Sequence, residues 1–179
     1  MESLITSRLV LKPISYNHIT ERYLSWLNDY EVYKFLETRG NYTFSMLSSF
    51  VENQIKNGTA MWAIHLKEND KHIGNIKIDP ISIKHGLGEY GILIGDKNEW
   101  GKGYGKEASR RIIDYFFHEE YKLRKITLGV VAKNTNAVAL YKNIGFVVEG
   151  VYKNHVQYDD KYYDVVRMAI FNPEYTYDK

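Results

Sequence analysis

Apolar and polar positions along the chain change period several times, and each change marks an element. Residues 7–14, SRLVLKPI, form a short apolar run stopped by Pro13 and predict a strand. Over residues 16–37, Ile19, Tyr23, Leu24, Trp26 and Leu27 fall on a helical stripe, and Asn28-Asp29 predicts a break into a second short helix. Phe44, Leu47, Phe50, Val51 and Ile55 repeat at helical spacing through residues 43–56, and Asn57-Gly58 is the stop signal of a third helix. Two strand-like runs, 59–68 and 71–83, flank the hairpin signal Asn69-Asp70, and residues 89–96 read as a further strand. From Gly103 the pattern turns helical, with Ala108, Ile112, Tyr115 and Phe116 on one face and Lys106, Arg110 and Asp114 off it. A strand over 125–132, a helix over 135–146 stopped by Gly145, and two long strands over 146–171 joined at Asp159-Asp160 complete the order. Strand, helix, strand units of this length force right-handed parallel crossovers. The prediction is therefore an α/β fold: a mixed central sheet of about seven strands flanked by about four or five helices. No repeat, low-complexity linker or composition break divides residues 1–179, so a single domain is expected.

Composition narrows the function classes. The 179 residues are 44% hydrophobic and 26% charged, enough for a core that needs no disulfide or metal staple. The absence of cysteine excludes thiolate nucleophiles and thiolate metal sites and makes a reducing, cytoplasmic setting the expectation. MESLITSRLVLKP lacks the basic and apolar regions of a secretion signal, and no run approaches a membrane span, so no membrane association is expected. The formal charge of +2 comes from 24 basic and 22 acidic side chains mixed along the chain, without a basic block suited to nucleic acid. His18, His65, His72, His85, His118 and His155 show no metal-ligand spacing, and no metal is expected.

The segment EWGKGYGKEA, residues 99–108, carries the first candidate chemistry. A nucleotide-hydrolysing P-loop requires a Ser or Thr after its lysine, where Glu107 follows Lys106 here. Gly103, Gly105 and Ala108 match the dinucleotide pattern G-x-G-x-x-A, but the next strand ends in Val130-Val131-Ala132, with no acid for a ribose. What fits is a pyrophosphate nest: glycines free backbone N–H groups to face an anion, the following helix adds its N-terminal partial charge, and Lys102 and Lys106 add screening charge. A plain glycine-rich connection explains the glycines alone equally well.

Residues 134–146, NTNAVALYKNIGF, taken with WGKGYG, resemble the two signatures of the GNAT superfamily of acetyl-CoA-dependent N-acetyltransferases. The resemblance covers nearly the whole chain in element order and is strongest from Glu89 to Phe146. Gly103 and Gly105 match the glycines of the family's [Q/R]-x-x-G-x-[G/A] motif, and Trp100 in the first position is similar to the branch of ribosomal-protein N-terminal acetyltransferases. By resemblance, the chain is one GNAT domain whose backbone at Lys102, Gly103, Tyr104, Gly105 and Lys106 cradles the pyrophosphate of acetyl-CoA. The strand Ile92-Leu93-Ile94 would pair its main chain with the pantetheine arm. The resemblance allows a homodimer, on which the sequence adds nothing.

Acetyl transfer to an amine needs a neutral amine, a donor for the developing oxyanion and a proton for the departing thiolate. Tyr141 matches the tyrosine of the family pattern N-x-x-A-x-x-L-Y, which starts at Asn134, and the resemblance makes it the acid; its place in the stripe Ala137, Leu140, Tyr141, Ile144 is equally that of a core aromatic. Asn134 is expected as a helix N-cap, as a pantetheine ligand, or both. In the N-terminal acetyltransferase branch a glutamate base matches the position held here by Gly129, which leaves Glu89 as the candidate base, with a water chain or a solvated strand-end charge as the other readings. The family's acceptor pocket implies walls at residues 23–39 and 153–163, with Trp26, Tyr30, Tyr33, Trp62 and Tyr158 lining it. Aromatic walls suit a nucleotide-linked amino sugar, and residues 23–39 resemble acetyltransferases of that class. An N-terminal protein amine, then a polyamine or antibiotic amine, then a non-catalytic acetyl-CoA-binding module are the alternatives.

Overall fold

The computed structural model of the chain describes residues 1–175. Their elements are β1 (Leu4–Ile5), β2 (Leu9–Pro13), α1 (Glu21–Asn28), α2 (Tyr30–Tyr33), α3 (Phe44–Lys56), β3 (Ala60–Leu66), β4 (His72–Ser82), β5 (Leu87–Ile94), α4 (Tyr104–Asp114), β6 (Lys125–Val131), α5 (Thr135–Ile144), β7 (Val147–Tyr158) and β8 (Lys161–Phe171). The strands belong to one mixed sheet of order β1-β2-β3-β4-β5-β6-β8-β7. The strand that exceeds the expected seven is β1, whose two residues are too few to show a period. Helix starts sit where local chemistry places them: Thr20, Asp29 and Thr43 each accept a backbone N–H of the first turn that follows. Asp159 and Asp160, both at positive φ, make the β7–β8 turn that the sequence predicts.

The described chain divides into two compact units, one of Met1–Asp79 with Gly91–Arg111 and one of Pro80–Tyr90 with the residues from Ile112 onward. In the first, β1, β2, β3 and β4 form an antiparallel run, with Leu9 opposite Leu66 and Pro13 opposite Trp62. All seven residues of β3 are buried, so both faces of this strand are covered. Met61 and Ala63 join Tyr23, Trp26, Leu27, Leu47 and Val51 of α1 and α3 in one apolar cluster. Gly95 lies directly under Trp26, where a Cβ would stand 2.1 Å from the indole ring. In the second unit, β6 pairs in parallel with β5 at Leu87–Glu89 and antiparallel with β8 along its whole length. Ile126, Leu128 and Val130 of β6 point into the core with Met168 of β8, and buried Asn172 donates to the carbonyls of Phe117 (3.1 Å) and Leu123 (3.0 Å). Among the described residues no helix is long and apolar enough to cross a membrane.

The first unit also holds three imidazoles that no spacing in the sequence brings together. His18, His65 of β3 and His72 of β4 have ring centroids 5.1–5.4 Å apart, and Tyr23 and Trp26 pack edgewise on His72. Hydrogen bonding assigns the tautomers: His18 Nδ1 accepts from the Ser15 N–H, His65 Nδ1 donates to the Asp70 carbonyl, and His72 Nε2 donates to the Gly74 carbonyl. Burial, reinforced by the neighbouring His18 and His65, pushes the His72 imidazole down to about 3, and burial also lowers His18. His72 is therefore held neutral in the folded state and takes up a proton below its ordinary value only on unfolding. The stability this confers is complete above about pH 6.5 and is lost as pH falls from there toward 3, on the order of 2 kcal/mol by pH 5. Urea unfolding at pH 7 and pH 5 should show wild type losing about that much more than His72→Gln; equal losses would exclude His72 as the titrating group.

Candidate active site

In the first unit, the segment ahead of α4 is built by side chains that fix backbone. Asp96 accepts from the Asn98 N–H and caps a 3₁₀ turn over Lys97–Glu99. Buried Glu99 receives Lys71 Nζ (2.9 Å) and Lys102 Nζ (2.8 Å), and Lys71 also pairs with Asp96. The charge of Lys102, expected to screen an anion, is thus committed to Glu99. Trp100 Nε1 donates to the Ile94 carbonyl at 2.7 Å, which ties the end of β5 to the glycine segment. Gly101 (φ +75°) and Gly103 (φ +83°) lie in the left-handed region, and nothing crowds either position closer than 3.5 Å, so conformation rather than space requires glycine at both.

Helix α4 then starts at Tyr104, and its first-turn N–H groups, those of Tyr104, Gly105 and Lys106, have no acceptor within the helix. Donors at the positive end of an eleven-residue helix are the chemistry an anion needs. Behind them, Glu107 accepts from Thr6 Oγ1 (2.6 Å), the Arg8 N–H (2.8 Å) and Arg8 Nε (2.7 Å). Burial pulls the Glu107 carboxyl upward, but these donors outweigh it and hold it below its usual value. Ile92, Leu93 and Ile94 are half-buried strand residues.

In the second unit, Asn134 Oδ1 accepts from the Ala137 N–H, so the capping role holds, and Gly145 (φ +119°) ends α5. Tyr141 is 9% exposed and packs edge-on against Tyr90 (5.7 Å, 83°) and at a tilt against Phe146 (5.9 Å, 59°). Burial pushes its hydroxyl up to about 12. Glu89 is not a solvated strand-end charge. Arg167 of β8 grips both its oxygens (2.7 and 2.8 Å), and Thr127 Oγ1 donates to it at 2.5 Å. Side chains alternate along a strand, so Glu89 and the Tyr90–Tyr141 contact occupy opposite faces of β5. Gly129 makes the ion pair sterically feasible: a Cβ there would stand 2.8 Å from Arg167 Nη1. The position that carries a glutamate in the resembling branch is here the floor under an arginine. Arg167 and Thr127 were missed from sequence; an arginine inside the apolar run VVRMAIF was the available signal, because a half-buried cation needs a partner.

Three of the five expected acceptor-wall aromatics are corrected to core. Trp26 is 5% exposed against Gly95, Tyr23 and His72. Trp62 is fully buried with Nε1 donating to the Glu2 carbonyl, and Tyr158 is 6% exposed beside Tyr163. A period places a ring on a face without saying whether another layer covers that face. Tyr30 (54% exposed) and Tyr33 remain at the surface, paired edge-to-face at 5.6 Å. A cavity of about 740 Å³ beside His18, His65 and His72 shares no residue with the glycine segment or with Glu89 and Tyr141. Among the described residues no group of three or more His, Asp or Glu side chains is arranged to hold a metal ion.

Residues 8–147 match the acetyltransferase (GNAT) domain. Over 179 residues, 98% of this chain and 99% of the relative, the chain is 27% identical to the uncharacterized N-acetyltransferase p20 of Bacillus licheniformis. It is 35% identical to the spermidine N(1)-acetyltransferase of Vibrio cholerae over 103 residues, 58% of each chain. Among solved structures, an acetyltransferase (GNAT family) from Bacillus anthracis superposes with a TM-score of 0.84 at 23% identity, covering 96% of this chain and 99% of that one, a likeness of fold alone. Spermidine N-acetyltransferase from Vibrio cholerae in complex with CoA and spermine superposes at 0.83 with 26% identity, covering 93% and 97%.

The Glu89–Arg167 pair is half-buried and bidentate, a geometry in which removal of one partner strands the other. A double-mutant cycle with Glu89→Gln and Arg167→Met, read by urea unfolding, should give a coupling energy of roughly 1–2 kcal/mol. Gly129→Ala should remove most of that coupling, and a full coupling retained in the Gly129→Ala background would contradict the steric account.

Proposed function

Because the chain belongs to the GNAT acetyltransferase family and is an N-acetyltransferase, we propose that it moves the acetyl group of acetyl-CoA to a primary amine of an aliphatic polyamine. The observation that carries the acceptor is the 35% identity with a spermidine N(1)-acetyltransferase, supported by the likeness to the spermidine N-acetyltransferase in complex with CoA and spermine. The nucleotide-linked amino sugar draws on an aromatic pocket and on the resemblance of residues 23–39, and the burial of Trp26, Trp62 and Tyr158 removes most of the first.

The residues present fit coenzyme A: two left-handed glycines lead into the first-turn N–H groups of α4, which have no acceptor within the helix. In this proposal the backbone at Gly103, Tyr104, Gly105 and Lys106 holds the pyrophosphate and the main chain of Ile92–Ile94 pairs with the pantetheine amides; Asn134, the cap of α5, is a further proposed ligand. Bound acetyl-CoA supplies the acetyl group as a thioester. Tyr141 holds a proton for the departing thiolate. At about 12 its hydroxyl stays protonated across the neutral range, and passing the proton to a thiolate of pKa ~8.5 costs roughly 5 kcal/mol, offset by the proton that the amine releases.

An alkylamine of pKa ~10.4 is less than about 0.1% neutral at pH 7, so this acceptor needs a proton sink more than an N-terminal amine would. Glu89 is the proposed sink, reached from the amine through water because it lies on the face of β5 opposite Tyr141. Arg167 and Thr127 hold its carboxylate in place, and the nitrogen's acidity rises steeply as it bonds to carbon.

Thiol release should be measured with spermidine, spermine, a nucleotide-linked amino sugar and an N-terminal peptide. Turnover confined to the latter two would overturn the polyamine acceptor while leaving the acyltransferase intact. Tyr141→Phe should lower kcat by roughly 100-fold while CoA affinity stays within about twofold; wild-type turnover would return Tyr141 to the core. Glu89→Gln should depress the rate more at low pH than at high pH, and an unchanged pH profile would remove Glu89 from the proton path.

A further inference from the structure

Arg8 lies in the bend before β2, far in sequence from the glycine segment, yet its side chain is used almost entirely there. Nε and Nη2 both reach Glu107 Oε2 at 2.7 Å, Nη1 donates to the Lys102 carbonyl at 2.9 Å, and the guanidinium lies 4.6 Å over the Tyr104 ring. The backbone N–H of Arg8 also binds Glu107, and Thr6 Oγ1 completes that carboxylate. One planar fork therefore spans the last residues of the glycine segment and the first turn of α4.

The contact with Lys102 has a directional consequence. In a trans peptide the C=O and the N–H point to opposite sides. Holding the Lys102 carbonyl against Arg8 turns the Gly103 N–H the other way, out of the surface that Arg8 occupies. Gly103 at φ +83° is in the conformation that lets the chain enter α4 from that orientation. The Lys102–Gly103 peptide has a glycine on its C-terminal side, which lowers the barrier and the preference between its two flipped states, so an external restraint decides it. Arg8 also neutralises Glu107, a carboxylate whose charge would otherwise stand in the first turn of a helix offered to an anion.

Resting on the coenzyme A reading given above, we propose that Arg8 is a positioning residue for the pyrophosphate cradle. It holds the Lys102–Gly103 peptide with its N–H aimed at the anion, by hydrogen bonding to Lys102 and Glu107 rather than as a charge attracting phosphate. The two roles predict different outcomes. A lysine keeps the charge but loses the fork. Glu107→Gln leaves Arg8 charged and makes the segment more positive, so simple attraction predicts tighter CoA and positioning predicts weaker CoA.

Calorimetric titration of CoA and of pantetheine, which lacks the phosphates, into wild type, Arg8→Lys, Arg8→Gln and Glu107→Gln tests this. The expected result is a loss of about tenfold or more in CoA affinity in all three variants, with pantetheine affinity within about twofold of wild type. Arg8→Lys with wild-type CoA affinity, Glu107→Gln with increased CoA affinity, or equal loss of CoA and pantetheine binding would each overturn the proposal. A wild type that binds CoA no more tightly than pantetheine would sink the cradle reading itself. A wild type that discriminates, with variants that discriminate equally well, would sink only the role of Arg8.

Discussion

The first unit depends on one constraint: β3 has no solvated face. Seven consecutive buried residues in a strand require a layer on each side. The chain supplies one of them by packing α1 and α3 on Met61 and Ala63. That packing brings Trp26 so close to the backbone that the residue beneath it must be Gly95. Gly95 in turn stands at the exit of β5, one residue beyond Ile94 and just ahead of the turn that leads to the glycine segment. The position of the candidate anion site thus follows from how a buried strand is covered, with no separate device to set it.

Charge in the candidate site is largely spoken for. Lys102 and Lys71 serve Glu99, Arg8 serves Glu107, and Arg167 serves Glu89. Each pairing uses a cation to hold backbone or a carboxylate in place. In the coenzyme A proposal, anion recognition falls instead to N–H groups, which cannot swing away and carry no counterion to shed. The arrangement agrees with a chain of formal charge +2, whose long-range field draws no anion from a distance.

How much of this was legible in the sequence varies with the range of the interaction that decides it. The hairpin at Asp159-Asp160 and the stop at Gly145 are local, and the residues announce them. So is the N-cap at Asn134. The fate of the aromatics is not local. Trp26, Trp62 and Tyr158 look the same in a periodicity whether a neighbouring layer covers them or a ligand does, and here a layer covers them. Glu89 was singled out without its partner because Arg167 lies 78 residues away and reaches it only when β6 separates β5 from β8 with a glycine in between. The histidine cluster was illegible for the same reason: a 3₁₀ turn over Tyr16–His18, β3 and β4 contribute one ring each. Trp100, for which the sequence offers no role, acquires one from a single bond to the Ile94 carbonyl.

That bond has an optical consequence. The chain has three tryptophans; Trp26 and Trp62 are sealed in the core, whereas Trp100 is 43% exposed on the segment between β5 and α4. Emission from the two buried indoles belongs to an apolar setting, and only Trp100 is open to a dissolved quencher. The protein therefore carries its own fluorophore at the edge of the glycine segment, hydrogen-bonded to the strand beside it. A change in how that segment is held reaches the solvent-facing part of the spectrum without any label.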